Sequence, residues 1–241
     1  MKKPGLLLLF NLVVFGLFAQ ASKKTFEVAD FHSIYNNSNY AVYVKQSNKN
    51  EVIAEALPDI LGITDIYVTN GVLMINVERK PDDKNKSVWA KIDDIKLRPV
   101  MKVTVSMKDI QEFQVNGAGK IIAENSLASS NLKLHLSGSG AMDLDIKGDR
   151  VETVISGSGE ITLKGYASVN NVNMSGSGSL KAFNCELQKA YVKMSGSGNC
   201  ELNISDDMNA DIFGSGVLKH KGNTKNVTRK IYGSGSVERA Y

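Results

Sequence analysis

The stretch Leu132-Lys133-Leu134-His135-Leu136-Ser137-Gly138-Ser139-Gly140-Ala141-Met142-Asp143-Leu144-Asp145-Ile146 alternates apolar and polar residues on both sides of a Ser-Gly-Ser-Gly interruption. Such a period of two belongs to a strand with one buried face, and no helical period of comparable clarity competes with it. The interruption recurs as Val115-Asn116-Gly117-Ala118-Gly119, Leu136–Gly140, Ile155–Gly159, Met174–Gly178, Met194–Gly198, Ile212–Gly216 and Ile231–Gly235. Its second glycine falls at 119, 140, 159, 178, 198, 216 and 235, a spacing near 19. Seven copies at one period mark a solenoid.

Flanking positions decide which solenoid. Two residues after the second glycine stand Ile121, Met142, Ile161, Leu180, Cys200, Leu218 and Val237; four before it stand Val115, Leu136, Ile155, Met174, Met194, Ile212 and Ile231. These read as inward columns of an all-β, parallel β-solenoid, with one short rung per repeat and coils about 4.8 Å apart. In this register both glycines point inward at a bend. Ser139, Ser158, Ser177, Ser197, Ser215 and Ser234 then form one outward column, expected to bond locally or to one another, with a polymer-binding strip as the functional alternative. Asp143, Thr162, Lys181, Glu201, Lys219 and Glu238 stack as a column of mostly alternating charge, which avoids repulsion between rungs.

Residues 1–21 read as a signal peptide: Lys2 and Lys3, the apolar run Leu6–Phe18, and the small-x-small site Ala19-Gln20-Ala21. The apolar run is too short to span a bilayer, and the exported chain is expected to carry no transmembrane segment. Without Lys2 and Lys3 the formal charge of +4 falls to +2, and the charges are mixed throughout. A nucleic-acid partner is therefore not expected. Residues 22–110 are expected to form irregular coils that cap the regular repeats of 111–241 in one continuous domain, a separate small β domain being the alternative. Within them Ala41–Lys45, Ile66–Val68, Val72–Val77 and Met101–Met107 read as strands, Thr69-Asn70-Gly71 as a turn and Pro81–Lys86 as a loop. The segment Pro58–Leu61 is too short to assign.

Motifs that carry chemistry are missing. The glycine–serine repeat lacks the spacing of a phosphate loop, a nucleophile elbow or a calcium-binding nonapeptide. His32, His135 and His220 are isolated, so neither metal nor cofactor is expected. Asp143, Asp145 and Glu160 come near one another in register, yet read more simply as surface charge, so no catalytic residue is assigned. Cys185 and Cys200 stand on neighbouring rungs roughly 16 Å apart if extended, against the 7 Å or so that a disulfide allows. Both are expected to be free.

The Ser-Gly-Ser-Gly copies, together with Phe31-His32-Ser33-Ile34 before Val42-Tyr43-Val44 and the stretch Asn70-Gly71-Val72-Leu73-Met74-Ile75, give the chain a resemblance to a family of exported bacterial proteins. That family is described as "putative auto-transporter adhesin, head GIN domain". The resemblance covers nearly all of the chain after the signal peptide. It implies a right-handed β-helix and a location in the periplasm, on the outer-membrane surface or outside the cell, and it brings no site residues. Two departures are Ala118 in the first copy and Phe213 and Tyr232 where earlier copies have serine. The expected function is a non-enzymatic binding, adhesion or scaffolding module at the cell envelope, with an envelope glycan or protein as partner and self-association through the C-terminal coil as a third route. A polysaccharide-active enzyme on the same fold is the alternative.

Overall fold

The computed structural model describes residues 21–78 and 100–240. The expected signal peptide and the Pro81–Lys86 loop lie outside the described residues, apart from Ala21. Seventeen strands form one continuous sheet wound into a solenoid. The strands are β1 Ser22–Phe26, β2 Ser33–Asn37, β3 Ala41–Gln46, β4 Glu51–Ala56, β5 Thr64–Thr69, β6 Val72–Val77, β7 Met101–Met107, β8 Glu112–Gly117, β9 Lys120–Ala123, β10 Leu127–Gly138, β11 Ala141–Gly157, β12 Glu160–Gly176, β13 Ser179–Gly196, β14 Asn199–Gly214, β15 Val217–Lys221, β16 Asn226–Tyr232 and β17 Ser236–Arg239. One short helix, α1 Pro58–Gly62, follows β4.

From β10 onward the coils stack in parallel at the sequence period, Ala141 opposite Glu160 and Glu160 opposite Ser179. Each rung is longer than expected. The strand β11 runs 17 residues around a bend, so that its first half joins one face of the solenoid and its second half the other. The inward columns are as read: Ile121, Met142, Ile161, Leu180, Cys200 and Leu218 are buried, as are Val115, Leu136, Ile155, Met174, Met194 and Ile212. Burying one such aliphatic side chain stabilises the fold by about 1.5–3 kcal/mol.

The two glycines of each motif have different roles, which corrects the expectation that both point inward. Gly159 is buried and inward: a Cβ there would meet the Gly140 carbonyl at 2.6 Å and Leu136 Cδ2 at 2.7 Å. Gly157 is half-buried and has φ +118°, a conformation open to glycine and strained for other residues. It turns the chain so that Ser156, Gly157 and Ser158 all face outward at the corner. The amide of Ser158 donates to the Gly138 carbonyl one coil away at 2.9 Å, and that of Glu160 to Gly140 at 3.1 Å.

The N-terminal part is less sequential than expected. On one face the spatial order is β5, β6, β2, β8 and then the second halves of β10 to β14, ending in β16. On the other, β1, β4, β7, β3 and β9 precede the first half of β11. The chain thus builds the β2–β3 coil first, turns back through β4, α1 and β5, then inserts β6 and β7 between that cap and the β2–β3 coil. The four strands read from the sequence here are present, with β1, β2 and β4 in addition. Asn70 at φ 50° and Gly71 at φ 75° make the turn that joins β5 to β6. Pro58 opens α1, whose Ile60 and Leu61 are buried under the cap. Thr64 donates to the Ile60 carbonyl at 2.7 Å, and its oxygen lies 2.7 Å from the hydroxyl of buried Tyr40, which ties the cap to the first coil.

Among the described residues nothing covers the opposite end. Val227 and Ile231 continue the inward columns of Met208 and Ile212 yet are 43% and 38% exposed. His220 continues a third inward column, opposite Leu202, and is only 8% exposed. Its Nδ1 lies 3.3 Å from the Thr224 hydroxyl. Burial, and then Arg239 and Arg229, hold the imidazole below its ordinary value of 6.5. Cys185 and Cys200 are both buried and free. Burial pushes the Cys185 thiol up to about 12 and raises that of Cys200 as well.

Three outcomes are expected. Gly117→Ala meets no atom within 4 Å and bears only the strain of φ +108°, costing about 1 kcal/mol; Gly157→Ala adds a contact with the Gly138 carbonyl and should cost about 2–3 kcal/mol. Equal losses in denaturant titrations would contradict the assigned corner geometry. Because the unfolded chain protonates His220 more readily than the fold does, its contribution to stability is complete above about pH 6.5 and declines as pH falls toward the lowered folded value. The melting temperature should drop between about pH 7 and pH 5, and less so in His220→Leu. Unreduced protein should release two thiols to a thiol reagent on denaturation and react slowly when native.

Candidate functional site

The outward surface next to the glycine corner is where the repeat places its polar side chains. Ser139, Ser158, Ser177, Ser197, Ser215 and Ser234 are all exposed, as their outward parity requires. Their hydroxyls make no hydrogen bond with other described residues, so the expected local bonding is not what the structure shows. The backbone, not the hydroxyl, does the structural bonding at these positions.

A second column runs beside the first: Ser137, Ser156, Ser175 and Ser195, paired in register. It was legible as the residue before each first glycine. Toward the cap it continues as Asn116, Asn37 and Asn76, where Asn116 Nδ2 donates to Asn37 Oδ1 at 2.7 Å and Asn37 Nδ2 to Asn76 Oδ1 at 2.9 Å. Toward the open end it becomes Phe213 and Tyr232, whose rings stack at 4.9 Å with 7° between planes. The two aromatic departures therefore fall on this column, and the Ser139 column keeps Ser215 and Ser234.

Farther from the corner the same face carries two more outward columns. One reads Ser33, Glu112, Lys133, Glu152, Asn171, Tyr191, Asn209 and Thr228; the other reads Tyr35, Gln114, His135, Val154, Asn173, Lys193, Asp211 and Lys230. Burial, and then the Glu112 carboxylate, raise the Tyr35 phenol above its ordinary value. Over β11–β14 these columns form a shallow groove of about 360 Å³ whose polar lining is Glu152, Asn171, Asn173, Tyr191, Lys193, Asn209 and Asp211, the one lysine balanced by two carboxylates. A larger cleft of about 600 Å³ near Gln46, Gln111 and Ser130 is bound into the fold instead. There the Gln46 side chain accepts from the Ala128 amide at 2.7 Å and donates to the Ala128 carbonyl at 3.1 Å, and Ser129 Oγ donates to the Ile110 carbonyl at 2.7 Å.

The acidic residues that come near one another in sequence register are each engaged across a coil boundary. Asp143 pairs with Lys164 at 3.1 Å, Glu160 with Lys181 at 2.7 Å, and Asp145 accepts from the Ser126 hydroxyl at 3.0 Å. The Glu160 carboxylate holds the Lys181 ammonium above its ordinary value. The stacked column itself is in the expected register, Asp143–Thr162–Lys181–Glu201–Lys219–Glu238, although these two ion pairs form diagonally to it. The three histidines stay apart, His32 beside Ser33, His135 3.9 Å from Glu112 and His220 at the open end. Among the described residues no group of three metal-ligating side chains comes together, and no helix is long and apolar enough to cross a membrane.

With this geometry in view, the chain can be set beside known proteins. Comparison with curated protein sequences finds no match. Several crystal structures share the fold. One is described as a putative adhesin from Bacteroides fragilis (TM-score 0.80, 20% identity, 92% of this chain and 97% of that one). Another is a putative lipid binding protein from Parabacteroides distasonis (TM-score 0.73, 23% identity, 93% and 98%). A third is a putative adhesin from Parabacteroides merdae (TM-score 0.70, 22% identity, 93% and 98%). The family described as "Putative auto-transporter adhesin, head GIN domain" matches residues 30–224, which takes in β2 to β15, six of the seven glycine corners and most of the outward columns. The chain belongs to that family.

Proposed function

We propose that this protein is an exported, non-enzymatic module of the cell envelope that binds a partner along the outward surface beside its glycine corner. The observation that carries this reading is the pair of serine columns whose hydroxyls the fold leaves unbonded. The corner itself does not call for a hydroxyl: Ala118 stands in the first column, and Asn116, Phe213 and Tyr232 stand in the second. Repeating a hydroxyl at nearly every coil supplies donors and acceptors to something outside the chain. The apolar run of Leu6–Phe18 supports export, and the family description supports adhesion. The ion-paired state of Asp143 and Glu160 favours binding over a polysaccharide-cleaving site on the same fold.

A second mode of association is favoured by the open end, where exposed Val227 and Ile231 sit on β16, an edge strand that no other described residue covers. End-on contact between two copies would cover them.

Labelled protein should bind isolated envelopes saturably. Replacing Ser139, Ser158, Ser177, Ser197, Ser215 and Ser234 by alanine should weaken that binding while leaving the melting temperature nearly unchanged. Turnover of a polysaccharide, or the absence of envelope binding, would overturn the reading. Sedimentation of the chain with and without the residues after Lys230 tests the second mode, which a monomer in both cases would exclude.

A further inference from the structure

Asparagine is unfavourable in strands, so each one on this face calls for an explanation. Asn76, Asn37 and Asn116 have one, because they bond to each other as a ladder. Asn171, Asn173 and Asn209 do not. Asn171 and Asn173 stand on β12 and Asn209 on β14, the strands on either side of β13; all three are exposed or half-buried and make no hydrogen bond with other described residues. Between Asn171 and Asn209, in register with both, Tyr191 holds its ring 48% exposed, with no stacked partner among the described residues. In the next column Asp211 lines the same groove between Lys193 and Lys230, and its buried Oδ1 has no hydrogen-bond partner among the described residues. A buried carboxylate oxygen without a donor is costly unless a ligand supplies one. The charge pattern changes here as well: Glu112, Lys133 and Glu152 alternate in sign along the first column, then give way to amides and a ring.

We propose, building on the binding role argued above, that this groove holds a neutral oligosaccharide. A sugar ring stacks its C–H face on Tyr191, an aromatic residue with one apolar and one wet aspect. The Asn171 and Asn209 amides lie one rung to either side, about 4.8 Å away, and each offers an acceptor and a donor to neighbouring hydroxyls. Asp211 Oδ1 accepts a hydroxyl from the same ligand. The stacked Phe213 and Tyr232 prolong the platform toward the open end.

The test uses the purified protein on immobilised short neutral glycans built from glucose, mannose, galactose and N-acetylglucosamine, with sialylated and uronic-acid glycans as charged comparisons. Binding to at least one neutral glycan is expected. Tyr191→Ala should weaken it at least about tenfold, and so should the isosteric Asn209→Asp, while Tyr67→Ala, an exposed aromatic far from the groove, should bind as wild type. Thermal melting of each variant separates loss of binding from loss of fold. Periodate treatment of envelopes should abolish capture and protease treatment should not. Envelope binding that survives periodate, or that Tyr191→Ala and Asn209→Asp both leave intact, would overturn the glycan assignment and leave the binding module standing. A protein that binds no envelope at all would overturn both.

Discussion

The stacking of each glycine corner on the one beside it is the constraint on which the other coils depend. At Gly157 the chain adopts a positive φ, and the carbonyl of Gly138 lies where a side chain would begin. Only glycine satisfies the dihedral and the approach together. Once that corner is in place, the amides of Ser158 and Glu160 meet the carbonyls of the neighbouring coil, and the strands on both sides are committed to one pairing. A slip of one residue would turn every inward aliphatic outward. The corner therefore sets the register of both faces at once, and the aliphatic columns then supply most of the stabilisation.

A fixed corner must displace irregularity elsewhere. The repeat spacing varies by a residue or two, and the variation is absorbed at the far bend of the coil. Register shifts occur between Thr162 and Lys164, between Ala182 and Glu186, and between Leu187 and Lys189, whereas Gly157, Gly176, Gly196 and Gly214 stay opposite one another. Where the glycine is missing, side chains take over its task. In the β2–β3 coil Asn36 Nδ2 donates to the Tyr40 carbonyl at 2.8 Å, and Asn36 Oδ1 accepts from the Ser38 hydroxyl at 2.6 Å. That turn is held by bonds among Asn36, Ser38 and Tyr40, and it carries no Ser-Gly-Ser-Gly signature.

This difference explains what the sequence could and could not reveal. Columns such as Met142, Ile161 and Leu180 were legible because one physical requirement, burial on a two-residue period, recurs at every coil. The return of the chain through β4 and α1 and the insertion of β6 and β7 were not, because pairing between strands distant in the chain leaves no local pattern. The conformations of the two glycines were hidden for another reason. Parity alone placed both inward, since it does not register a positive-φ residue that steps out of the alternation while Ile155, Gly159 and Ile161 around it keep theirs. On the outward surface the Ser139 column was readable from the repeat. The groove was not, since Asn171, Tyr191 and Asn209 share no motif and meet only through register.

The division of labour between inward and outward positions follows from the same corner. Inward residues and glycines are bound by packing and dihedral, and little can change there without loss of register. Outward residues are bound by neither, so their identity reflects solubility, local bonding or a partner. Lys189 and Asp207 illustrate the second case, pairing at 2.7 Å across one rung, and Asn37 and Asn116 illustrate it again with amides. Asn171, Asn209 and Asp211 Oδ1 do no such bonding with other described residues, although they occupy the same kind of position on the same face. On the glycan proposal these strand-disfavouring amides around an exposed ring would offer their donors and acceptors to a ligand's hydroxyls, as Asn37 and Asn116 offer theirs to each other.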